Sequence, residues 1–346
     1  MSRTLPLLVV VVSVLSVFAL VEAVSHTNLL AKLSDKTWTL LDRAEGYRWG
    51  LKRAQGTTNH PIYFGLLLTL TLPWMLHAGR EALAGRAPRW WIAAPILAIA
   101  GAFATVSRSA HIAIIVVIAA DLFFRRPNYR LPMFLILIVG GACFLVFREE
   151  ILDRTGAYAG ESDVGEERVK IFGVEYDYTG TRHRDLLLLA YEPAIDDAGW
   201  FGYGTNLREN QRMKDKLDNY MDRRFEVSID HHYLVHFLRY GYLGTVIFIA
   251  FGLMAAWNLG REAFARAGPL SDLAAGLFGA FVAVAVLVQG VAMAFDFGAT
   301  WLFVAGLAAS MSARRKARLA ATYAATNMTA VTSGEDPRIS TARSGN

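Results

Sequence analysis

The sequence predicts an all-α membrane protein, a polytopic bundle of about eight transmembrane helices with one large, partly helical extracytoplasmic loop before span six. Three observations predict it. Hydrophobic residues make up 54% of the 346 positions, and mean hydropathy is +0.32, above what soluble domains carry. The apolar residues are gathered into blocks of about 16–25, long enough to cross ~30 Å of hydrocarbon at 1.5 Å per residue. The short basic connections between blocks alternate, so one threading of the chain puts them all on the same side of the membrane.

The blocks run 5–24, 61–79, 91–107, 109–124, 131–147, 232–257, 271–295 and 298–313. The connections Arg80–Arg89, Arg125–Arg130 and Trp257–Arg266, with the run Arg314-Arg315-Lys316-Ala317-Arg318, are basic. An N-terminus in the cytoplasm places all of these inside and leaves both chain ends there. The basic 25–60 loop opposes this threading, but long translocated segments obey charge less. Met1-Ser2-Arg3, an apolar stretch and Val21-Glu22-Ala23 also fit a signal peptide with its cleavage site, and cleavage leaves the remaining topology unchanged. The organisation predicted is a bundle over 1–147, an extracytoplasmic loop over 148–230, spans six to eight over 231–313, and a cytoplasmic tail over 314–346. Beyond Arg318 the tail is Ala/Thr/Ser-rich without apolar period and is expected to be disordered. The single cysteine, Cys143, excludes an intrachain disulfide and a thiolate metal cluster.

The loop is too long to be a connector. Its stretch "GESDVGEERVKIFGVEYDYTG" is polar and reads as irregular or a short hairpin. In "TRHRDLLLLAYEPAIDDAGWFGYGT", Leu186 to Leu189 with Tyr191, then Ala194 and Ile195, suggest a helix lying against the membrane or the bundle, kinked or staggered by Pro193. "GWFGYG" ends that helix with aromatics suited to an interfacial belt. "NLRENQRMKDKLDNYMDRRFE" reads as a second, highly charged helix.

Three outward features carry chemistry. Arg108, in "TVSRSAH", lies where two spans meet, so it either snorkels from a helix end or binds an anion with Ser107, Ser109 and the next helix's N-terminal amides. Arg182 and Arg184 flank His183 in "TRHRD"; the pair is either a solvated helix start or a fork matched to phosphate oxygens. "SIDHHYLVHFLRYGYLGT" sets Asp230, His231 and His232 before span six, with Ser228 or Asp230 able to cap the helix. His232 and His236 share a face at i, i+4, a metal-chelating spacing, but no HExxH is present; acid–base work or a plain polar cap are the other readings. Walker A, Gly-rich nucleotide and GxSxG motifs are absent, and the outer loop's excess of acids excludes nucleic acid.

At these residues the chain resembles the O-antigen ligase and O-antigen polymerase family, membrane glycosyltransferases that use polyprenyl-diphosphate-linked sugars. "GLKRAQGTTNHPIYFG" resembles the family's Arg-Ala-x-Gly segment, and "TVSRSAHIAI" its Thr-x-Ser-Arg-Gly turn, with Ser109 where glycine is usual. "TRHRDLLLLAYEPAIDDAGWFGYGT" is similar to its arginine–apolar helix leading to Gly-x-Gly, and "DHHYLVHFLRYGYLGTV" to its His-Asn-x-Tyr-Leu…Gly-x-x-Gly motif. Asp230 stands where ligases carry the histidine, and His231 where they carry asparagine. The chain also has fewer spans than the family's ten to fourteen. The resemblance implies an inner (cytoplasmic) membrane location with the active site on the extracytoplasmic side. It implies a lipid-linked glycan donor and an acceptor glycan or glycolipid as partners, with no metal and no cofactor. Arg108, Arg184 and Arg182 would hold the donor diphosphate, and Asp230, His231 or His232 would be the base. A transporter or scaffold for polysaccharide or precursor export is the alternative; charge deep inside several spans would favour the transporter.

Overall fold

The apolar blocks become helices where their composition dictates. The computed structural model describes residues 4–32, 47–48, 50–58, 60–146, 167–178, 183–217, 229, 231–265, 269–290, 293 and 295–333. In chain order the helices are α1 (Thr4–Ser25), α2 (Leu29–Lys32), α3 (Pro61–Leu83), α4 (Ala93–Ala104), α5 (Arg108–Arg125) and α6 (Arg130–Val146). After the loop come α7 (His183–Ala190), α8 (Glu192–Ala198), α9 (Gln211–Leu217), α10 (His232–Phe264), α11 (Pro269–Leu287) and α12 (Phe295–Ser333). Two antiparallel hairpins complete the set, β1 (Tyr47–Arg48) with β2 (Leu51–Lys52), and β3 (Glu167–Ile171) with β4 (Val174–Tyr178).

Among the described residues four helices are long and apolar enough to cross a membrane: Thr4–Ser25, Pro61–Leu83, His232–Phe264 and Leu270–Leu287. Arg89–Ala104 is apolar but shorter. The helices pack through small residues, as helices do where backbones must approach closely. A Cβ on Gly101 would meet Ser16 of α1 at 2.8 Å, and one on Gly279 would meet Ala120 of α5 at 2.6 Å. α1 is thus packed as part of the bundle. Helix ends collect in two groups. One holds Arg80, which donates to both oxygens of buried Asp121 at 3.0 Å, with Arg125 bridging Asp121 and Asp272 at 3.3 Å each. The other group holds Asn28, Gly56, Arg108 and the histidines.

Two sequence expectations are corrected here. The tail beyond Arg318 is helical as far as Ser333, because α12 runs on through an alanine-rich stretch of high helix propensity, "RLAATYAAT"; residues 334–346 lie outside the described residues. Nor is the run from His232 one straight span. Gly241 interrupts α10 with φ 62° and ψ −161°, and the two limbs, 232–240 and 242–264, fold back toward each other. A straight helix would separate residues 232 and 248 by ~24 Å; instead the rings of His232 and His236 lie 5.4 and 4.5 Å from that of Phe248.

A broken helix orphans carbonyls on one side of the break and amides on the other. The turn after α8 supplies the complement. Tyr203 and Gly204 N–H donate to Leu238 and Arg239 C=O at 2.7 and 2.9 Å, while Tyr242 and Leu243 N–H donate to Gly199 and Trp200 C=O at 3.1 and 3.2 Å. The fit leaves no room for side chains. A Cβ on Gly202 would lie 2.6 Å from the Leu238 carbonyl oxygen, and one on Gly241 would collide with the Gly199–Phe201 backbone.

The loop is a unit with its own core. Val169 and Ile171 of β3 join Leu186, Leu187, Tyr191 and Ala194, and Leu234 and Leu238 of the first α10 limb complete the cluster. Tyr191 divides α7 from α8, with Pro193 in the first turn of α8 where its missing N–H costs nothing. Asp197 ties the unit together: Arg212 Nε lies 2.8 Å, Lys216 Nζ 3.5 Å and the Tyr203 hydroxyl 3.0 Å from its carboxylate. Desolvation opposes ionisation of Asp197, but the hydrogen bonds from Arg212 and Tyr203 outweigh it and hold the carboxyl below its ordinary range. Burial, and then the same Asp197 contact, pushes the Tyr203 phenol upward.

Two outcomes follow. Gly241→Ala adds a left-handed strain and a backbone clash together worth about 2–4 kcal/mol, and should expose the 199–240 region to protease in membranes; unchanged resistance would refute the interlock. The folded-state pKa of Asp197 lies below its unfolded value near 3.8. Its stabilisation is therefore complete above that pH and lost as pH falls through the depressed value. Asp197→Asn should lower the protease resistance of the loop at neutral pH and flatten its loss in acid, measured by cleavage rate against pH.

Candidate functional site

Arg108 is the first residue of α5, where the structure begins that helix after a strained turn. Val106 has φ 46°, a left-handed conformation that β-branched residues rarely adopt and that costs on the order of 1–3 kcal/mol. Its surroundings enforce it. Val106 N–H donates to Phe103 C=O at 2.9 Å, Thr105 Oγ1 donates to Ala102 C=O at 2.7 Å, and Ala54 N–H donates to Ala104 C=O at 3.1 Å. Beneath them a Cβ on Gly65 would press on Thr105 Oγ1 at 2.8 Å. Ser107 is the N-cap but its side chain caps nothing, and its buried Oγ has no hydrogen-bond partner. The first turn of α5 carries no acidic residue. This helix end therefore keeps its preference for an anion.

The Arg-Ala-x-Gly stretch buttresses that turn. Ala54 and Gln55 are fully buried, and Arg53 nearly so. The buried Glu22 carboxylate at the end of α1 accepts from Gln55 and Gly56 N–H at 3.2 and 3.0 Å, and Asn28 Nδ2 donates to Gly56 C=O at 3.1 Å. Sequence reasoning missed Glu22 as a working carboxylate; its signal was an acid at the end of an apolar block that faces a glycine-containing loop.

The histidines are fixed by backbone amides. His231, rather than Ser228 or Asp230, is the N-cap of α10, and its Nδ1 accepts from Leu234 N–H at 3.1 Å. His232 Nδ1 accepts from Met293 N–H at 3.1 Å, tying α10 to the segment before α12. A neutral imidazole that accepts at Nδ1 carries its proton on Nε2, so these bonds assign both rings as Nε2–H donors. Neither ring has an acceptor nitrogen to spare. Tyr233, between the two cores, donates its hydroxyl to Ala285 C=O of α11 at 2.6 Å. His232, His236 and Tyr240 form one face of the first limb; both imidazoles look onto Phe248, Tyr240 packs on His236, and Phe248 packs onward to Trp301, which stacks on Phe281. Leu234 and Leu238 form the opposite face, in the loop core. The i, i+4 face read from the sequence is real, and it is packed against aromatic rings.

The structure thus carries Arg108, His231 and His232 to one end of the bundle, with α11 packed against both α5 and α10. Arg184 belongs to the first turn of α7, one residue after its start at His183; its side chain, like Arg182 and Asp230 as whole residues, lies outside the described residues. Among the described residues no cluster of three His, Cys, Asp or Glu could hold a metal. Among the described residues, buried Glu22, Asp121 and Glu262 lie toward helix ends and Arg53 in the connection before α3, none in the middle of a span. His231→Ala should remove the cap and cost about 1 kcal/mol, while His231→Asn should retain most of it; thermal denaturation of the two variants in detergent separates them.

No curated protein and no solved structure gives a significant match to the chain. A protein-family model described as O-Antigen ligase matches residues 93–249. The match takes in the Arg108 turn, the α7–α8 segment with its glycine turn, and α10 through the Gly241 break, and it leaves out the buttress at 48–64. Over residues 93–249 the chain is similar to the O-antigen ligase family.

Proposed function

We propose that this chain is a metal-independent membrane glycosyltransferase, an O-antigen or exopolysaccharide polymerase or ligase. It moves a glycan from a polyprenyl-diphosphate carrier to an acceptor sugar hydroxyl at the extracytoplasmic face of the inner membrane. The observation that carries the reading is that the family-matched segment holds a strained, arginine-bearing helix start and a pair of oriented histidines at the same end of one bundle. The concentration of buried charge toward helix ends favours this reading over a transporter's charge relay.

In the proposed reaction the acceptor hydroxyl oxygen attacks the anomeric carbon, the bond from that carbon to the diphosphate oxygen breaks, and polyprenyl diphosphate leaves. Arg108 and the α5 amides meet the charge that grows on the leaving diphosphate, with Arg184 and Arg182 closing on it from the loop. The hydroxyl proton goes to the Asp230 carboxylate. His231 and His232, with Nδ1 engaged, act through Nε2–H, donating to oxygens of the donor or the acceptor. That division refines the sequence reading, in which any of the three could be the base.

The test is transfer by purified protein with a polyprenyl-diphosphate-linked glycan. Arg108→Ala should lower the rate on the order of 100–1000-fold, with Arg108→Lys between it and wild type. Asp230→Asn should lower it on the order of 100-fold or more, and EDTA should leave it unchanged. Full activity in Arg108→Ala and Asp230→Asn would remove the site assignment. In a host lacking the gene, accumulated single-repeat carrier would identify a polymerase, and accumulated long chains a ligase.

A further inference from the structure

At the opposite end of the bundle, away from the proposed transfer site, α10 and α12 enclose a cleft lined by Asn258, Arg261, Ser312, Arg315, Lys316 and Leu319. Its charge is one-sided. Buried Glu262 forms part of the wall, but Arg318 Nη2 lies 3.1 Å from its Oε1, so Arg261, Arg315 and Lys316 are in excess. Arg315 is also oriented: its Nη1 donates to the Arg261 carbonyl at 2.7 Å, which holds the guanidinium across the two helices.

The surface leading to the cleft changes character over two turns. Leu253, Trp257 and Arg261 are spaced i, i+4, i+8 and so share one face of α10. Leu253 is 66% and Trp257 70% exposed. Aliphatic, then aromatic, then guanidinium is the sequence of environments met on leaving a bilayer core for its phosphate layer. On α12 the basic run Arg314-Arg315-Lys316-Ala317-Arg318 follows the apolar stretch 298–313 without a break. In a bilayer the cations would therefore stand at headgroup depth beside a surface that would face acyl chains.

We infer that this cleft binds a phosphate ester, supplied by the headgroup of an anionic phospholipid whose chains lie along Leu253 and Trp257. Arg261, Arg315 and Lys316 take the phosphate oxygens, and Asn258 and Ser312 the remaining polar groups. The site holds α10 and α12 together at the end remote from the reaction, and it stands independently of glycan transfer.

The full chain purified in detergent, delipidated and followed by thermal unfolding, tests this with three additions: phosphatidylglycerol, phosphatidylcholine and inorganic phosphate. Phosphatidylglycerol alone should raise the unfolding temperature. Arg261→Gln/Lys316→Gln, which leaves the Arg315–carbonyl bond in place, should weaken its half-saturation on the order of 10-fold or more. Arg261→Lys/Lys316→Arg should keep the response, and high salt should diminish it in wild type. Equal shifts from phosphatidylglycerol and phosphatidylcholine would overturn the proposal, as would an undiminished response in the Gln variant. A shift from inorganic phosphate equal to that from phosphatidylglycerol would overturn the lipid as source and assign a soluble phosphate ester. Should the Gln variant fail to fold, loss of the wild-type preference in high salt supports the proposal and its persistence overturns it.

Discussion

A helix cannot break inside a bundle without stranding backbone groups, and in this protein the stranded groups of α10 dictate where the whole loop unit sits. The break at Gly241 frees the carbonyls of Leu238 and Arg239 and the amides of Tyr242 and Leu243, and the Gly199–Gly204 turn answers all four. Leaving even one such group dry and unmade costs on the order of 1–3 kcal/mol, so break and turn stabilise each other and neither is stable alone. The glycines at 202 and 241 follow from that contact. Both take left-handed φ and neither has room for a Cβ, so these glycines serve close backbone approach and not flexibility.

The same interlock orients the histidines. By folding the first limb of α10 back, it turns His232 and His236 toward Phe248 and sends Leu234 and Leu238 into the loop core. The limb is shared by two hydrophobic clusters, and its N-terminus, with His231 as cap, lies on the seam between them. Anchoring both imidazoles through Nδ1 to backbone amides fixes ring direction and tautomer.

Much of the bundle was legible because hydropathy is additive along a chain: each apolar block is largely helical among its described residues, and a hairpin, a kink or stagger at Pro193 and the start of α5 were visible in local composition. What was hidden depends on contacts distant in sequence. Gly241 sits in an apolar run that reads as one span, and only the turn forty residues earlier makes it a reversal. The capping role of His231 was masked by Ser228 and Asp230, better cap formers by type. Glu22 looked like a feature of a leader segment because its partners, Gln55 and Gly56, lie across a long loop. The site was legible as residue types but not as roles. Nothing in "DHHY" says which imidazole nitrogen is engaged.

The helix dipole of α5 sets its two ends apart, and the difference bears on Arg108. At one end the guanidiniums of Arg80, Arg125 and Arg318 are matched to the carboxylates Asp121, Asp272 and Glu262, and Arg130 bonds carbonyls at the C-terminal end of α5, where the helix dipole favours a cation. Arg108 stands at the other terminus of that same helix, where the dipole disfavours its charge. It follows a valine held in a left-handed conformation and an N-cap serine that does not cap. Three unfavourable local choices in consecutive residues are not what folding alone selects. They are mutually consistent with the anion proposed for this turn, which the helix amides would bind and toward which the strained valine would aim the helix start.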